Sequence, residues 1–173
     1  MTELFQKSIW IVIFSWLALF CMCTIEAPVT ETETEIEAKT EVNKVLLLQL
    51  VNSYRASGCD CGSEGYYAPT TPVTWNDTLA LVAKDHSEDM FKNKFFSHTG
   101  SDNSNPGTRL ERYNYDWRTY GENIAYGHQT EKSVIEDWIK SPGHCSNIMA
   151  PNFKEMGVAK AGDCWTQLFG TRK

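Results

Sequence analysis

Two histidines and one glutamate, His98, His144 and Glu122, sit in short polar or glycine-bearing segments rather than on apolar faces. The segments read Phe96-Ser97-His98-Thr99-Gly100, Gly121-Glu122-Asn123-Ile124-Ala125-Tyr126-Gly127 and Trp138-Ile139-Lys140-Ser141-Pro142-Gly143-His144-Cys145. Two neutral imidazoles with water make a weak, open site for a divalent ion such as Zn²⁺, with Glu122 either a third ligand or the acceptor that orients a histidine. Binding of that kind is loose and pH-sensitive, because each imidazole must be deprotonated to ligate. The same groups suit hydrolysis, a metal or Glu122 activating water and the histidines acting as general acid or base. Ser141 and His144, three positions apart, raise a nucleophile–base pair, but Ser141 is more simply a helix-terminal serine. No His-Glu-x-x-His and no Gly-x-Ser-x-Gly occurs, so zincins and serine hydrolases of the common types find no support. His86 falls on an apolar helical stripe and is read as an inward, hydrogen-bonded core residue.

Positioning those residues requires a frame. Leu47, Leu50, Val51 and Tyr54 mark one helical face from Asn43 to Ser57, with Gly58 at its end. A loop through Cys59-Asp60-Cys61-Gly62 to Pro72 follows. Asn76-Asp77-Thr78 caps a second helix, with Leu79, Val82, Ala83, His86 and Met90 on one stripe, and also reads as a glycosylation sequon. Asn105-Pro106 opens a short third helix to about Tyr113. An aromatic, irregular stretch leads to Gly121–Gly127, read as a short strand or a buried loop. Thr130 caps a fourth helix with Val134, Ile135, Trp138 and Ile139 inward, which Pro142 ends. Gly157-Val158-Ala159 and Cys164–Phe169 read as strands around a turn at Ala161-Gly162-Asp163. Helices precede strands without βαβ alternation, so the fold class is α+β with an antiparallel sheet.

Export is written in the first quarter. Ile9 to Cys23 is uncharged and shorter than the ~20 residues that span a bilayer, so residues 1–23 read as a signal peptide, with a mature start between Cys21 and Ala27. Cys21 raises lipidation, against which Phe20 is bulky for the position before a lipidated cysteine. Residues 24–40 alternate Thr and Glu and form a solvated tether. The remainder, 41–173, has room for one domain. A net charge of −6 with no basic cluster excludes a nucleic-acid binder. Four cysteines follow the leader: Cys59, Cys61, Cys145 and Cys164. An even count in an exported chain favours two disulfides, and Cys59 and Cys61 are too close to join each other, so each reaches for Cys145 or Cys164. A four-thiolate zinc site is the less favoured rival, since Cys145 and Cys164 lack a close second pair.

Phe96-Ser97-His98-Thr99, Gly121-Glu122-Asn123-Ile124-Ala125, Trp138-x-x-Ser141-Pro142-Gly143-His144 and Glu155-Met156-Gly157-Val158, in that order, resemble the CAP superfamily, the cysteine-rich secretory, antigen 5 and pathogenesis-related 1 proteins, or SCP domain. The similarity covers roughly Val42 to Gly170, and the Ser-Pro-Gly-His turn resembles the bacterial branch. The resemblance implies an α-β-α sandwich with a three-stranded antiparallel sheet flanked by helices, and a cleft holding a His, Glu, Glu, His tetrad. His98, Glu122 and His144 match three members of that tetrad, and Ser141 stands where many relatives carry the second glutamate. It also implies that Cys61 sits near Cys145, leaving Cys59 for Cys164. The expectation is a secreted, or periplasmic or outer-surface, monomer. Its cleft binds a lipid, peptide or cell-surface partner, meets the membrane only through the leader or a lipid anchor, and is preferred over the hydrolase.

Overall fold

Asparagine and threonine side chains open the helices in one repeated way. The computed structural model describes residues 41–173, so the expected leader and tether, and with them Cys21, lie outside the described residues. Asn43 accepts from the Leu46 N–H at the head of α1 (Lys44–Ser57), and Asn76 from the Leu79 N–H at the head of α2 (Asp77–Asn93). Asn105 does the same for Thr108 in α3 (Pro106–Arg112), and Thr130 for Ser133 in α4 (Glu131–Lys140). Each side chain satisfies a backbone donor that the helix itself cannot, which is why these starts are legible in sequence.

Four strands, one more than expected, form the main sheet in the order β3-β5-β6-β4. Strands β4 (Trp117–Tyr126), β5 (Glu155–Ala161) and β6 (Cys164–Arg172) pair antiparallel, as the resemblance implied, and the structure puts β6 between the other two. The correction is β3 (Thr74–Trp75), a two-residue edge strand that pairs parallel with β5 through Thr74 and Glu155. Two residues carry no readable alternation, so only tertiary pairing defines it. The segment read as loop after α1 also holds a two-residue antiparallel pair, β1 (Cys59–Asp60) with β2 (Tyr66–Tyr67). Gly121–Tyr126 proves to be the second half of the ten-residue β4.

Strict alternation along the strands sends side chains to two faces. Ala125, Met156, Val158, Trp165 and Phe169 join Leu47, Val51, Ile135, Trp138, Cys145, Ile148 and Met149 in the larger core. On the other face, Ala159 and Leu168 pack with Leu79, Val82, Ala83 and Leu110, and Ile124 and Cys164 pack with Met90. Helices thus cover both faces of the sheet. Gly157 permits this approach: a Cβ there would lie 2.2 Å from the Ala80 backbone nitrogen of α2. The larger core is tied by Arg55, fully buried, whose guanidinium donates to the carbonyls of Thr71, Ile148, Ala150 and Phe153.

A fifth helix, α5 (Pro142–Met149), replaces the expected turn at His144. Pro142 does end α4, yet it also starts α5, where its missing N–H costs nothing and its fixed φ suits the first helical position. His144 therefore stands in the first turn of a helix.

Candidate functional site

Glu122 is the centre of the site, and its carboxylate is 2% exposed. Oε1 meets His98 Nδ1 at 2.7 Å, and Oε2 accepts from Arg109 Nη2 at 2.7 Å. A carboxylate can only accept, so His98 carries its proton on Nδ1 and turns the Nε2 lone pair outward on a side chain that is 52% exposed. Arg109, buried on α3, also donates to the carbonyls of His98 and Ser104, and so fixes the loop bearing His98. Both ends of the Arg109–Glu122 pair are buried and hydrogen-bonded, the condition under which such a pair holds together.

His86 sits directly behind, its Nε2 2.9 Å from the Ser97 carbonyl and 3.9 Å from Glu122 Oε1. It is the inward residue expected from its helical stripe, and it also supports the site. The carbonyl requires the hydrogen on Nε2, so the buried and unpartnered Nδ1 is a bare lone pair. Burial above all lowers the His86 pKa. Arg109 acts in the same direction, while Glu122, the Ser97 carbonyl and Asp89 oppose it.

β4 lies at the open end of the sheet order, and α5 reaches its free edge. Asn147 Nδ2 donates to the Glu122 carbonyl and to Asn123 Oδ1, and Trp138 Nε1 donates to the Ile124 carbonyl. Asn123 in turn donates to the His144 carbonyl and to Gln167 Oε1. Edge carbonyls that would otherwise recruit another strand are thereby used to seat α4, through Trp138, and α5, which carries His144, through Asn147. Glu122 and its neighbour Asn123 point to opposite faces, one gripping His98 and Arg109, the other the His144 turn. Gly121 is needed beside them, because a Cβ there would come 2.8 Å from the Phe153 ring.

His144 has a buried Nδ1 without a partner, and its pKa is lowered chiefly by burial and then by the neighbouring His98, with Asp137 opposing. The imidazole is held in its neutral form. Ser141 closes α4 by donating its N–H to the Asp137 and Trp138 carbonyls, and its hydroxyl caps nothing at the head of α5. Its position is that of the helix-terminal serine, the simpler of the two readings of its sequence.

His98 presents Nε2 outward with Glu122 behind it as an orienting acceptor, while His144 keeps a buried Nδ1 without a partner. Each Glu122 oxygen already accepts one hydrogen bond, Oε1 from His98 and Oε2 from Arg109. Among the described residues, the group of three whose donor atoms all lie within 4.8 Å of one another is Cys59, Cys61 and Cys145, not His98, Glu122 and His144.

The cysteines need one correction. Cys61 and Cys145 form a disulfide with Cα atoms 5.5 Å apart, whereas Cys59 and Cys164 are free thiols. Cys59 on β1 lies beside the bridge, 3.7 Å from Cys145 Sγ, while Cys164 opens β6 among Met90 and Ile124 on the other face. The two are separated by the sheet, so the second bridge does not form.

Sequence reasoning missed Arg109. The available signal was indirect: a buried glutamate requires a cation, and α3 supplies arginines at 109 and 112. It also missed an apolar groove of about 860 Å³ lined by Met90, Phe91, Phe95, Phe96 and Tyr126, with Lys92 and Lys94 beside them. Phe96 precedes His98 by two residues and meets Tyr126 edge-on at 6.3 Å. Phe91, Phe96 and Tyr126 are 53%, 52% and 62% exposed.

Comparison with known proteins agrees with this architecture. The profile of the CAP family, described as the cysteine-rich secretory protein family, matches residues 48–169. Two Bacillus subtilis proteins, the uncharacterized protein YkwD and the uncharacterized membrane protein YlbC, are each 35% identical, over 100 and 97 residues respectively. Those matches take in 57% and 56% of this chain but only 39% and 28% of theirs. An extracellular protein containing an SCP domain from Bacillus anthracis superposes with a TM-score of 0.69 at 26% identity, over 83% of this chain and 45% of that one. An outer surface protein of Borrelia burgdorferi shares the fold, with a TM-score of 0.59 at 22% identity over 76% and 97% of the two chains.

Proposed function

The chain belongs to the CAP family of cysteine-rich secretory proteins, of the bacterial type, and on that premise we propose that it is a secreted or surface-tethered binding module for an acyl-chain ligand. The observation that carries this reading is the aromatic groove beside the His98 loop. Exposed rings gathered in one concave patch are costly in water unless something covers them. Lys94 next to the rings suits the anionic headgroup of a fatty acid or lysolipid, whose chain would lie on Phe91, Phe95, Phe96 and Tyr126, while Lys92 is paired with Glu88. The extracellular and outer-surface descriptions of the structural relatives support the location, and no helix among the described residues is long and apolar enough to cross a membrane.

The polar cluster serves as a fixed wall of this module and as a loose cation site. His98 Nε2 and the neutral His144 ring would hold a divalent ion such as Zn²⁺, with water completing the shell, and the ion would supply a positive charge near the groove mouth. Hydrolysis is disfavoured by the same geometry, because a carboxylate with both oxygens in charge-assisted bonds is not poised to take a proton from water. Calorimetry with Zn²⁺ is expected to show binding at pH 7.5 that weakens on acidification, because a protonated imidazole cannot ligate, and that is lost in His98→Ala. Unchanged affinity in that variant ends the metal reading.

Titration with a fluorescent fatty acid tests the module itself. Phe96→Ser is expected to weaken binding by about tenfold, the effect of losing roughly 1.5 kcal/mol of apolar contact. Equal affinity for the native chain and the variant would refute the acyl-chain reading.

A further inference from the structure

The free thiol beside the disulfide forms a second candidate site, which adjoins the first where Cys145 follows His144 on α5. Cys59 Sγ lies 3.7 Å from Cys145 Sγ, and Cys59, Cys61 and Cys145 keep all three sulfurs within 4.8 Å of one another. Their accessibility differs: Cys61 is 2% exposed and Cys145 fully buried, while Cys59 is partly exposed on the two-residue strand β1. We propose that these residues are a three-sulfur exchange site, in which the disulfide passes between Cys61–Cys145 and Cys59–Cys145, and through which an external thiol reaches a bridge it cannot touch directly.

The step balances without an oxidant. Cys59 loses its proton to solvent, and its thiolate attacks Cys145 Sγ. The Cys59–Cys145 bond forms as the Cys61–Cys145 bond breaks. The electron pair leaves on Cys61 Sγ, which takes a proton from solvent, so one thiol and one disulfide remain throughout. The distances put the attacking sulfur well short of in line with the bond it must break, so rotation of the Cys59 side chain is the motion required. Once the bridge includes Cys59, a small thiol such as glutathione can attack the exposed sulfur and carry reduction to Cys145. Burial, and then the neighbouring Asp60 carboxylate, push the Cys59 thiol above its ordinary value. The thiolate is therefore scarce near neutrality, and the rate should rise about tenfold per pH unit below that value.

Two measurements on the full chain decide it, each read by peptide mapping so that every cysteine is followed separately. The Cys61–Cys145 bridge of the native chain should be reduced by glutathione at pH 8 at least about tenfold faster than in Cys59→Ser, with both chains equally resistant to urea. In Cys61→Ser, oxidation by glutathione disulfide should produce a Cys59–Cys145 bridge. Equal reduction rates in the native chain and Cys59→Ser would overturn the proposal even if Cys61→Ser failed to fold. So would a folded Cys61→Ser chain that kept Cys59 and Cys145 as separate thiols.

Discussion

Glu122 shows how little of a site's energetics lies in the residues that first attract notice. His98 is readable from its loop and Glu122 from its glycine segment, yet the buried partner of Glu122 is Arg109, which no local pattern marks. The consequence is testable. Arg109→Met leaves a buried carboxylate facing a half-exposed histidine, and should destabilise the fold by about 3–5 kcal/mol in urea titrations. His98→Ala removes only the exposed partner and should cost about 1 kcal/mol or less. If the two variants were equally stable, the ion pair would not be the anchor described. Arg55 belongs to the same class: its four carbonyl partners come from segments 16 to 98 residues away, and nothing near position 55 announces them.

At the level of the elements, caps are legible in sequence and crossings are not. Asn43, Asn76, Asn105 and Thr130 each declare a helix start because the hydrogen bond they make is local, three residues on. The parallel strand β3 and the helix α5 escape for the opposite reason, since β3 exists only through its pairing with β5 and Pro142 both ends one helix and starts another. The free edge of β4 is where this matters, because Asn147 and Trp138 occupy its carbonyls and thereby set the position of His144. Glycine substitutions separate the two kinds of constraint. Gly157→Ala drives a methyl into the α2 backbone and should destabilise by at least about 3 kcal/mol, or abolish folding. Gly143→Ala, within α5 and with nothing inside 4 Å of the added Cβ, should stabilise by roughly 0.5–1 kcal/mol. Thermal melts of both proteins check the pair, and a neutral Gly157→Ala would contradict the close approach of α2 to the sheet.

For the molecule as a whole, the two depressed histidines set a pH dependence. His86 and His144 have pKa values below their ordinary 6.5, so the unfolded chain binds more protons than the folded one as pH falls through that value. The stability they contribute is present above about pH 6.5 and is lost progressively as pH drops toward their folded values. Urea midpoints should therefore fall between pH 7.5 and pH 5, and His86→Gln should flatten that slope. A midpoint that rose on acidification would contradict the assignment of a neutral, buried His86. The α+β frame can be inferred from the order of the motifs, whereas the groove cannot, because Met90 reads as one position of a helical stripe, Phe96 as part of the His98 loop and Tyr126 as part of the glycine segment until the fold sets them side by side. That groove bears the central claim, and backbone amide chemical shifts recorded during titration with a medium-chain fatty acid test it most directly. The account predicts saturable shifts concentrated at Met90–Phe96 and Tyr126. Shifts confined to other surfaces, or none at all at saturating ligand, would contradict it.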